Sequence, residues 1–202
     1  MRFLSHHECL RLVQRAAARA ELPVRMTRGF NPHPRLRLVL PRPVGVASRD
    51  ELATAALDAP IEAASALTAL NAACPAGMEF FRAAELPPGP PVQARRAEYA
   101  WRGRADSPAD LARRAAAFHA AEHWPLDRAR PPGRGGAART RQIDLRALVT
   151  EMAYDADAGE LRWVQLSDGG VWARLQEVLH ALGLDDPADL ADVERRRVDY
   201  GT

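Results

Sequence analysis

The chain has 202 residues, which is enough for one large domain or for two domains of about 100 residues each. It contains no run of about 18 apolar residues, which excludes a membrane-spanning helix, and its first residues are too polar for a signal peptide. The formal net charge is only +2, so total charge alone does not indicate a polyanion as a partner.

The first half predicts strands and helices in alternation. In chain order we expect a strand at residues 2–5, a helix at 7–20, a strand at 35–40, an ambiguous segment at 51–58, a helix at 61–73 and a strand at 78–84. The strand at 35–40 follows from leucines that alternate with arginines, which gives a half-buried strand with a basic outer face. At 51–58 the alanines favour a helix, whereas the short length between Ser48 and Pro60 suits a strand.

The segment Leu86-Pro87-Pro88-Gly89-Pro90-Pro91-Val92 cannot continue a helix or an interior strand, so it predicts a semi-rigid linker. It divides the sequence into residues 1–86, a proline-rich linker at 87–93, and residues 94–202. In the second half we expect a strand at 98–102, a helix at 108–121, a flexible loop at 131–136, a hairpin with strands at 148–154 and 160–166, a helix at 171–182 and a strand at 193–200. Ser107 followed by Pro108 is typical of a helix N-cap and first turn.

Both halves therefore show the element order βαββαβ, which is that of the ferredoxin-like, or split βαβ, unit. The sequence predicts an α+β protein made of two tandem ferredoxin-like units with antiparallel sheets, each sheet exposing one face.

The segment Arg28-Gly29-Phe30-Asn31-Pro32-His33-Pro34-Arg35 has the composition of a stiff loop. Its glycine can take a positive φ, and its two prolines fix their own φ and push the preceding residues toward extended backbone. We expect the side chains of Asn31 and His33 to point in fixed directions among positive charges. This predicts a binding or reactive loop; the alternative is a demanding turn without chemistry.

The first predicted helix carries arginines every four residues, so they share one face. A solvated helix face would explain them, but four more arginines follow between residues 25 and 37, and arginines that neutralise phosphates give strong, salt-dependent affinity. Phe30 can stack on an unpaired base, and Asn31 can contact a base or ribose. The predicted nucleic-acid-binding residues are Arg11, Arg15, Arg19, Arg28, Phe30, Asn31, Arg35 and Arg37.

The distribution of charge supports this prediction better than the arginine content does. All basic residues except histidine are arginine, as high-GC coding produces, so their number alone is weak evidence. Residues 1–49 hold ten arginines and two acids, and residues 128–146 hold six arginines and one acid, whereas residues 150–192 are acidic. Two basic regions beside an acidic one indicate a polyanion partner such as RNA.

The groups that could carry chemistry are few. His6 and His33 are candidates for a general acid or base beside phosphate-binding arginines; the alternative is a hydrogen-bonding role in a cap or loop. Cys9 and Cys74 predict reduced thiols of a cytosolic protein, and no zinc spacing is present, so no metal and no cofactor are predicted. No phosphate loop, nucleophile elbow or dinucleotide fingerprint occurs, which favours a protein without catalytic activity.

Several motifs resemble those of a family of unknown function that is found attached to, or encoded beside, radical SAM proteins. The motifs are Arg2-Phe3-Leu4-Ser5-His6 with Arg11, Gly29-Phe30-Asn31-Pro32-His33-Pro34, Pro43-Val44-Gly45-Val46 with Ser48 and Glu51, Ile143-Asp144-Leu145-Arg146, and Arg197-Val198-Asp199-Tyr200. The resemblance implies a role beside a radical SAM enzyme in modifying RNA or the translation machinery. Members of that family usually begin some residues earlier, in a strand with its own basic residue, so we expect either a clipped first strand or a misassigned start codon here.

Three functional hypotheses follow. The first is a cytoplasmic, non-catalytic accessory protein that binds RNA or another polyanion for a radical SAM partner. The second is a protein-interaction adaptor in which Leu161, Trp163 and the acidic second half dock a partner without nucleic acid. The third is an RNA-processing enzyme that depends on His6 and His33.

Overall fold

The chain divides into two compact units, of which the first is Met1–Gln93 with Gly201–Thr202 and the second is Ala94–Tyr200. The computed structural model describes residues 2–130 and 139–201. Within them, the proline-rich residues 86–92 form neither helix nor strand. The predicted α+β composition is confirmed. None of the helices in the described part of the chain has the length and apolar character needed to cross a membrane.

The first unit combines two helices with short strands. Its elements are α1 (His6–Arg19), β1 (Leu36–Leu38), β2 (Ala47–Ser48), β3 (Ala53–Ala55) and α2 (Ala63–Ala73). β1 and β3 pair antiparallel, with Leu36 opposite Ala55. Residues 51–58, for which the sequence allowed either a helix or a strand, therefore contain a strand.

α1 begins at a capping box. The Ser5 side chain accepts a hydrogen bond from the Glu8 backbone N–H at 3.3 Å, and the Glu8 carboxylate accepts one from the Ser5 backbone N–H at 2.7 Å. Val13, Ala16 and Ala17 form the buried face of the helix, which packs against α2 and β1. The predicted helix is confirmed.

Two predicted strands of the first unit are wrong. Residues 2 and 3 form a turn, and Ser5 is used as the cap of α1. Residues 78–84 are irregular: the Asn71 side-chain amide donates to the Phe80 carbonyl at 2.7 Å, and its oxygen accepts from the Phe80 N–H at 2.8 Å. The Asn71 side chain thus takes the place of a strand partner for the backbone of Phe80. Without the two predicted strands, the order βαββαβ is not present in the described residues of the first unit.

The second unit is built on a larger sheet. Its elements are β4 (Gln93–Trp101), α3 (Pro108–Ala120), β5 (Pro125–Arg130), β6 (Arg139–Asp144), α4 (Leu145–Leu148), β7 (Val149–Asp155), β8 (Glu160–Leu166), α5 (Leu175–Ala181), a 3-10 helix (Pro187–Asp192) and β9 (Val193–Gly201). Four strands are hydrogen-bonded in the order β9-β4-β8-β7, and β8 is antiparallel to both β4 and β7. β5 and β6 form a separate antiparallel pair, with Arg128 opposite Arg141.

Aromatic side chains fill the core of the second unit. Trp101 of β4 and Trp163 of β8 are almost completely buried, and the Trp163 ring stacks on Tyr99 with centroids 5.5 Å apart. Phe118 of α3 is also fully buried, and α3 packs on β7. The sheet is therefore covered on the face that holds these rings.

Most elements predicted for the second half are confirmed, including the Ser107 cap, the β7–β8 hairpin and the last strand. The predicted helix at 171–182 is shorter because residues 168–171 form a turn, with Asp168 and Val171 exchanging backbone hydrogen bonds at 3.0 and 2.8 Å. The β5–β6 pair was not predicted. The loop predicted at 131–136 lies outside the described residues.

Candidate functional site

An open cleft in the first unit brings together residues that are distant in the sequence. It has a volume of about 650 Å³ and is lined by Arg25, Met26, Thr27, Arg28, Arg35 and Asp58. Three extended chain segments lie side by side there: the Arg35 N–H donates to the Arg25 carbonyl at 2.7 Å, and the Arg25 N–H donates to the Ala56 carbonyl at 2.8 Å. This backbone pairing fixes the positions from which the charged side chains reach the cleft.

The cleft is positively charged. The Arg25 Nε atom lies 2.7 Å from the Asp58 carboxylate, and another nitrogen of the same guanidinium donates to the Leu57 carbonyl at 3.1 Å. Arg28 and Arg35 are exposed and have no acidic partner within 4 Å in the described ranges. Three arginines and one aspartate leave a formal charge of +2 on the lining. An anion can therefore bind here without displacing an existing ion pair of Arg28 or Arg35.

The loop predicted to be stiff stands next to the cleft. It is closed at its base by two hydrogen bonds between Thr27 and His33: the Thr27 N–H donates to the His33 carbonyl at 2.8 Å, and the His33 N–H donates to the Thr27 hydroxyl at 2.9 Å. Gly29 has a φ of +128°, which confirms the predicted need for glycine. Phe30 at the tip has a relative exposure of 106 %, and Asn31 is also exposed.

The other predicted phosphate-binding arginines lie elsewhere in the first unit. Arg11, Arg15 and Arg19 are all exposed on α1, so the predicted arginine face of that helix is confirmed. No hydrogen bond or ion pair between described residues connects them to the cleft. Arg37 donates to the Thr54 hydroxyl at 3.3 Å and to the Val92 carbonyl, so its guanidinium is held by the protein itself.

The two candidate catalytic histidines are not brought into contact. His6 is the first residue of α1. Burial lowers the pKa of its imidazole most, the nearby His7 lowers it further, and the nearby Glu51 carboxylate raises it. His33 lies exposed in the loop. No hydrogen bond or ring contact joins them in the part of the chain that the structure describes.

The surroundings of His6 show what the first and third motifs do in the fold. Arg42 lies 3.3 Å from the Glu51 carboxylate and donates to the Cys9 sulfur at 3.4 Å, and the Gly45 N–H donates to the Arg2 carbonyl at 2.8 Å. The hydrogen bond between Gly45 and Arg2 joins the motif at residues 2–6 to the motif at 43–51. Over residues 2–130 and 139–201, no cluster of three or more histidine, cysteine or acidic side chains is suited to hold a metal ion.

The motif Ile143-Asp144-Leu145-Arg146 has a structural role. The Asp144 carboxylate accepts hydrogen bonds from the Trp124 N–H at 2.8 Å and from the Arg146 N–H at 3.0 Å, and these bonds, the first above all, lower its pKa. Arg146 donates to the Ala121 carbonyl at 3.0 Å, and its guanidinium lies 5.6 Å from the centre of the Phe118 ring. The motif therefore joins the end of α3 to β6 and β7.

A buried carboxylate organises the ion pairs of the second unit. The Glu160 side chain is inaccessible to solvent and, among the described residues, is bound by Arg102, Arg162 and Arg196. Burial raises the pKa of Glu160, but the three guanidinium groups outweigh it and lower the pKa to about 2. The negative charge of Glu160 is thus neutralised by arginines of the same unit.

The residues predicted to dock a protein partner are not available for that role. Leu161 is fully buried and Trp163 is 1 % exposed, because both point into the core beneath the helices of the second unit. The alternation of strand β8 puts both residues on the same face of the sheet, and the sequence alone could not say which face is covered. This part of the adaptor hypothesis is wrong.

Four residues that line the cleft were not among the predicted binding residues, although the first had been counted among the nearby arginines: Arg25, Met26, Thr27 and Asp58. Asp58 pairs with Arg25 across 33 positions of sequence, and no local spacing predicts such a contact. A weak signal was present, since Val24 and Met26 flank Arg25 in the alternation of an extended segment.

The comparisons with known proteins identify one family. A family model described as "Uncharacterized protein conserved in bacteria (DUF2344)" matches residues 1–173. No curated protein and no solved structure matches the chain.

Proposed function

The chain belongs to the DUF2344 family of uncharacterized proteins conserved in bacteria, and we propose that it is a non-catalytic accessory protein whose first unit binds RNA or another polyanion. The observation that carries this proposal is the open cleft in which Arg28 and Arg35 have no acidic partner among residues 2–130 and 139–201. A guanidinium group matches the geometry of a phosphate and forms charge-assisted hydrogen bonds with it. Two such groups on one exposed cleft suit successive phosphates of a chain.

The exposed arginine face of α1 supports a polymer as the ligand. Arg11, Arg15 and Arg19 are spaced by one helical turn each, which corresponds to about 5–6 Å along the helix. A row of cations on a second surface of the same unit fits a long anionic chain better than a single small anion. Each neutralised phosphate releases counterions, so binding is expected to weaken steeply as salt is added.

A radical SAM protein is the partner that we propose for the RNA-bound state. The support is the resemblance of the motifs at residues 2–6 and 29–34 to those of radical-SAM-associated proteins. In this proposal the accessory protein holds the RNA while the partner carries out the reaction.

For the fold, we assign the second unit to the ferredoxin-like class. The support is the order β4-α3-β7-β8-α5-β9, which is βαββαβ once the β5–β6 pair, the one-turn helix α4 and the 3-10 helix are set aside as insertions, together with the strand order β9-β4-β8-β7. Fold alone does not identify the ligand, so the functional proposal depends on the first unit.

The experiment is a binding titration of the full chain with fluorescently labelled single-stranded RNA at several salt concentrations. Wild-type affinity should fall as salt rises, and both the double variant Arg28→Ala/Arg35→Ala and the triple variant Arg11→Ala/Arg15→Ala/Arg19→Ala should bind more weakly. The control is Arg82→Ala/Arg104→Ala, which removes two exposed arginines outside both basic regions of the sequence and should bind like the wild type. Affinity that ignores salt and all of these changes would refute the proposal.

A further inference from the structure

We infer that the polyanion is single-stranded and that one of its unpaired bases stacks on Phe30; this inference rests on the proposed function and specifies its ligand. Phe30 is the most exposed large apolar side chain in the described residues, with a relative exposure of 106 %. A phenylalanine side chain left wholly in water adds nothing to the burial of apolar surface that drives folding. The exposed position of Phe30 therefore does not stabilise the fold.

The loop holds Phe30 out in a fixed place. The two hydrogen bonds between Thr27 and His33 close the loop beneath it. Gly29 allows the positive φ that the turn requires, and Pro32 restricts the backbone on the other side of Phe30. A side chain on a closed loop loses less freedom on binding than one on an open segment, so the ring is prepared for contact.

Charge next to the ring suits a nucleotide. Arg28 lies two residues before Phe30 and lines the cleft, so the two side chains start within about 7 Å of each other along the chain. A nucleotide carries a flat apolar base and a charged phosphate at a similar separation. Asn31 follows the ring, and its exposed amide can both donate to and accept from the edge of a base.

Stacking on Phe30 selects single strands. In a duplex the bases already stack on each other, so their faces are closed to a side chain, whereas every unpaired base offers a face. A protein partner that buried Phe30 would need an apolar surface instead, but the arginines of the adjacent cleft favour a ligand that is both flat and anionic.

The test compares four variants of the full chain on three probes: single-stranded RNA, the same sequence as a duplex, and inorganic polyphosphate. Phe30→Ala should weaken the binding of single-stranded RNA by about 5- to 150-fold, the range of one lost base stack, and should leave the binding of duplex and polyphosphate unchanged. Phe30→Trp should restore single-strand affinity. Phe81→Ala is the matched control, because Phe81 is a second exposed phenylalanine of the same unit, 66 % exposed, and it should have no effect.

The salt dependence separates this inference from the proposed function. Phe30→Ala removes no charge, so the slope of log affinity against log salt should stay that of the wild type, whereas Arg28→Ala/Arg35→Ala should flatten it. If Phe30→Ala leaves single-strand affinity unchanged while the arginine variant weakens it, the stacking inference fails and polyanion binding stands. An equal loss on all three probes would also overturn the inference, because it would indicate damage to the cleft. Failure of all three probes to bind the wild type would overturn both proposals.

Discussion

Replacing Asp58 by Asn should strengthen the binding of single-stranded RNA, which is the opposite of what removing a polar contact usually does. The Asp58 carboxylate neutralises Arg25 at 2.7 Å, and it is the one acidic side chain on the lining of the cleft. Arg25 should stay in place in the variant, because its guanidinium also donates to the Leu57 carbonyl at 3.1 Å. The formal charge of the lining then rises from +2 to +3.

The magnitude follows from counterion release. For single strands the slope of log affinity against log salt changes by about 0.7 for each phosphate that is neutralised. Asp58→Asn should therefore steepen the slope by about 0.7, and Arg28→Ala/Arg35→Ala should flatten it by about 1.4. Between 50 and 200 mM salt these changes amount to about 2.6-fold and 7-fold differences in how much affinity is lost.

Fluorescence anisotropy with labelled single-stranded RNA over that salt range measures both slopes. The matched control is Asp106→Asn, which removes an exposed acid of the second unit and should leave the slope unchanged. All the changed side chains are exposed, so thermal unfolding should confirm that each variant folds like the wild type. If Asp58→Asn weakens binding or leaves the slope at the wild-type value, the cleft does not hold the phosphates.

Three further predictions concern stability. The pKa of Glu160 is lowered from 4.5 to about 2, so its ion pairs stabilise the fold above pH ~4.5 and lose that effect as pH falls toward 2. Glu160→Gln should therefore be less stable than the wild type by roughly 1–3 kcal/mol at pH 7 and equally stable near pH 2. Thermal unfolding at the two pH values measures the difference. Two nitrogens of Arg128 bind the Glu177 carboxylate at 2.7 and 2.5 Å. Because Arg128→Ala leaves this nearly buried charge without that partner, the free energy of unfolding in urea should fall by about 2–4 kcal/mol. A decrease under about 0.5 kcal/mol would contradict this. Gly103→Ala should lower the melting temperature by an amount equivalent to about 1–3 kcal/mol, since its Cβ would overlap the Trp101 indole, and an unchanged melting temperature would show that the indole moves aside.

The helical arginine face and the stiff loop were predictable because both depend on local chemistry. Side chains four residues apart on a helix share a face whatever surrounds the helix, and the exposed Arg11, Arg15 and Arg19 follow that rule. In the same way, the composition of residues 28–35 predicts a glycine with positive φ, and Gly29 has a φ of +128°. Neither prediction required knowledge of distant contacts.

Two strands of the first unit were predicted wrongly because side chains replaced strand partners. Ser5 was assigned to a strand but caps α1, and residues 78–84 were assigned to a strand although the Asn71 side chain satisfies the Phe80 backbone. Short apolar segments have weak preferences of their own, and a competing hydrogen bond is enough to decide their conformation. The repeated order of elements in the two halves depended on these two strands.

By itself the sequence determined the conformation of segments whose residues act on their immediate neighbours: the arginine face of α1, the stiff loop at residues 28–35, and the hairpin of β7 and β8. Only the tertiary structure decided which charges remain available. It pairs Arg25 with Asp58, holds Arg37 on a carbonyl and surrounds Glu160 with three arginines, whereas Arg28 and Arg35 line the cleft and form no ion pair with any described residue. The physical reason is that an ion pair acts over a few ångströms of space, and the folded backbone, not the spacing in sequence, sets which groups come that close.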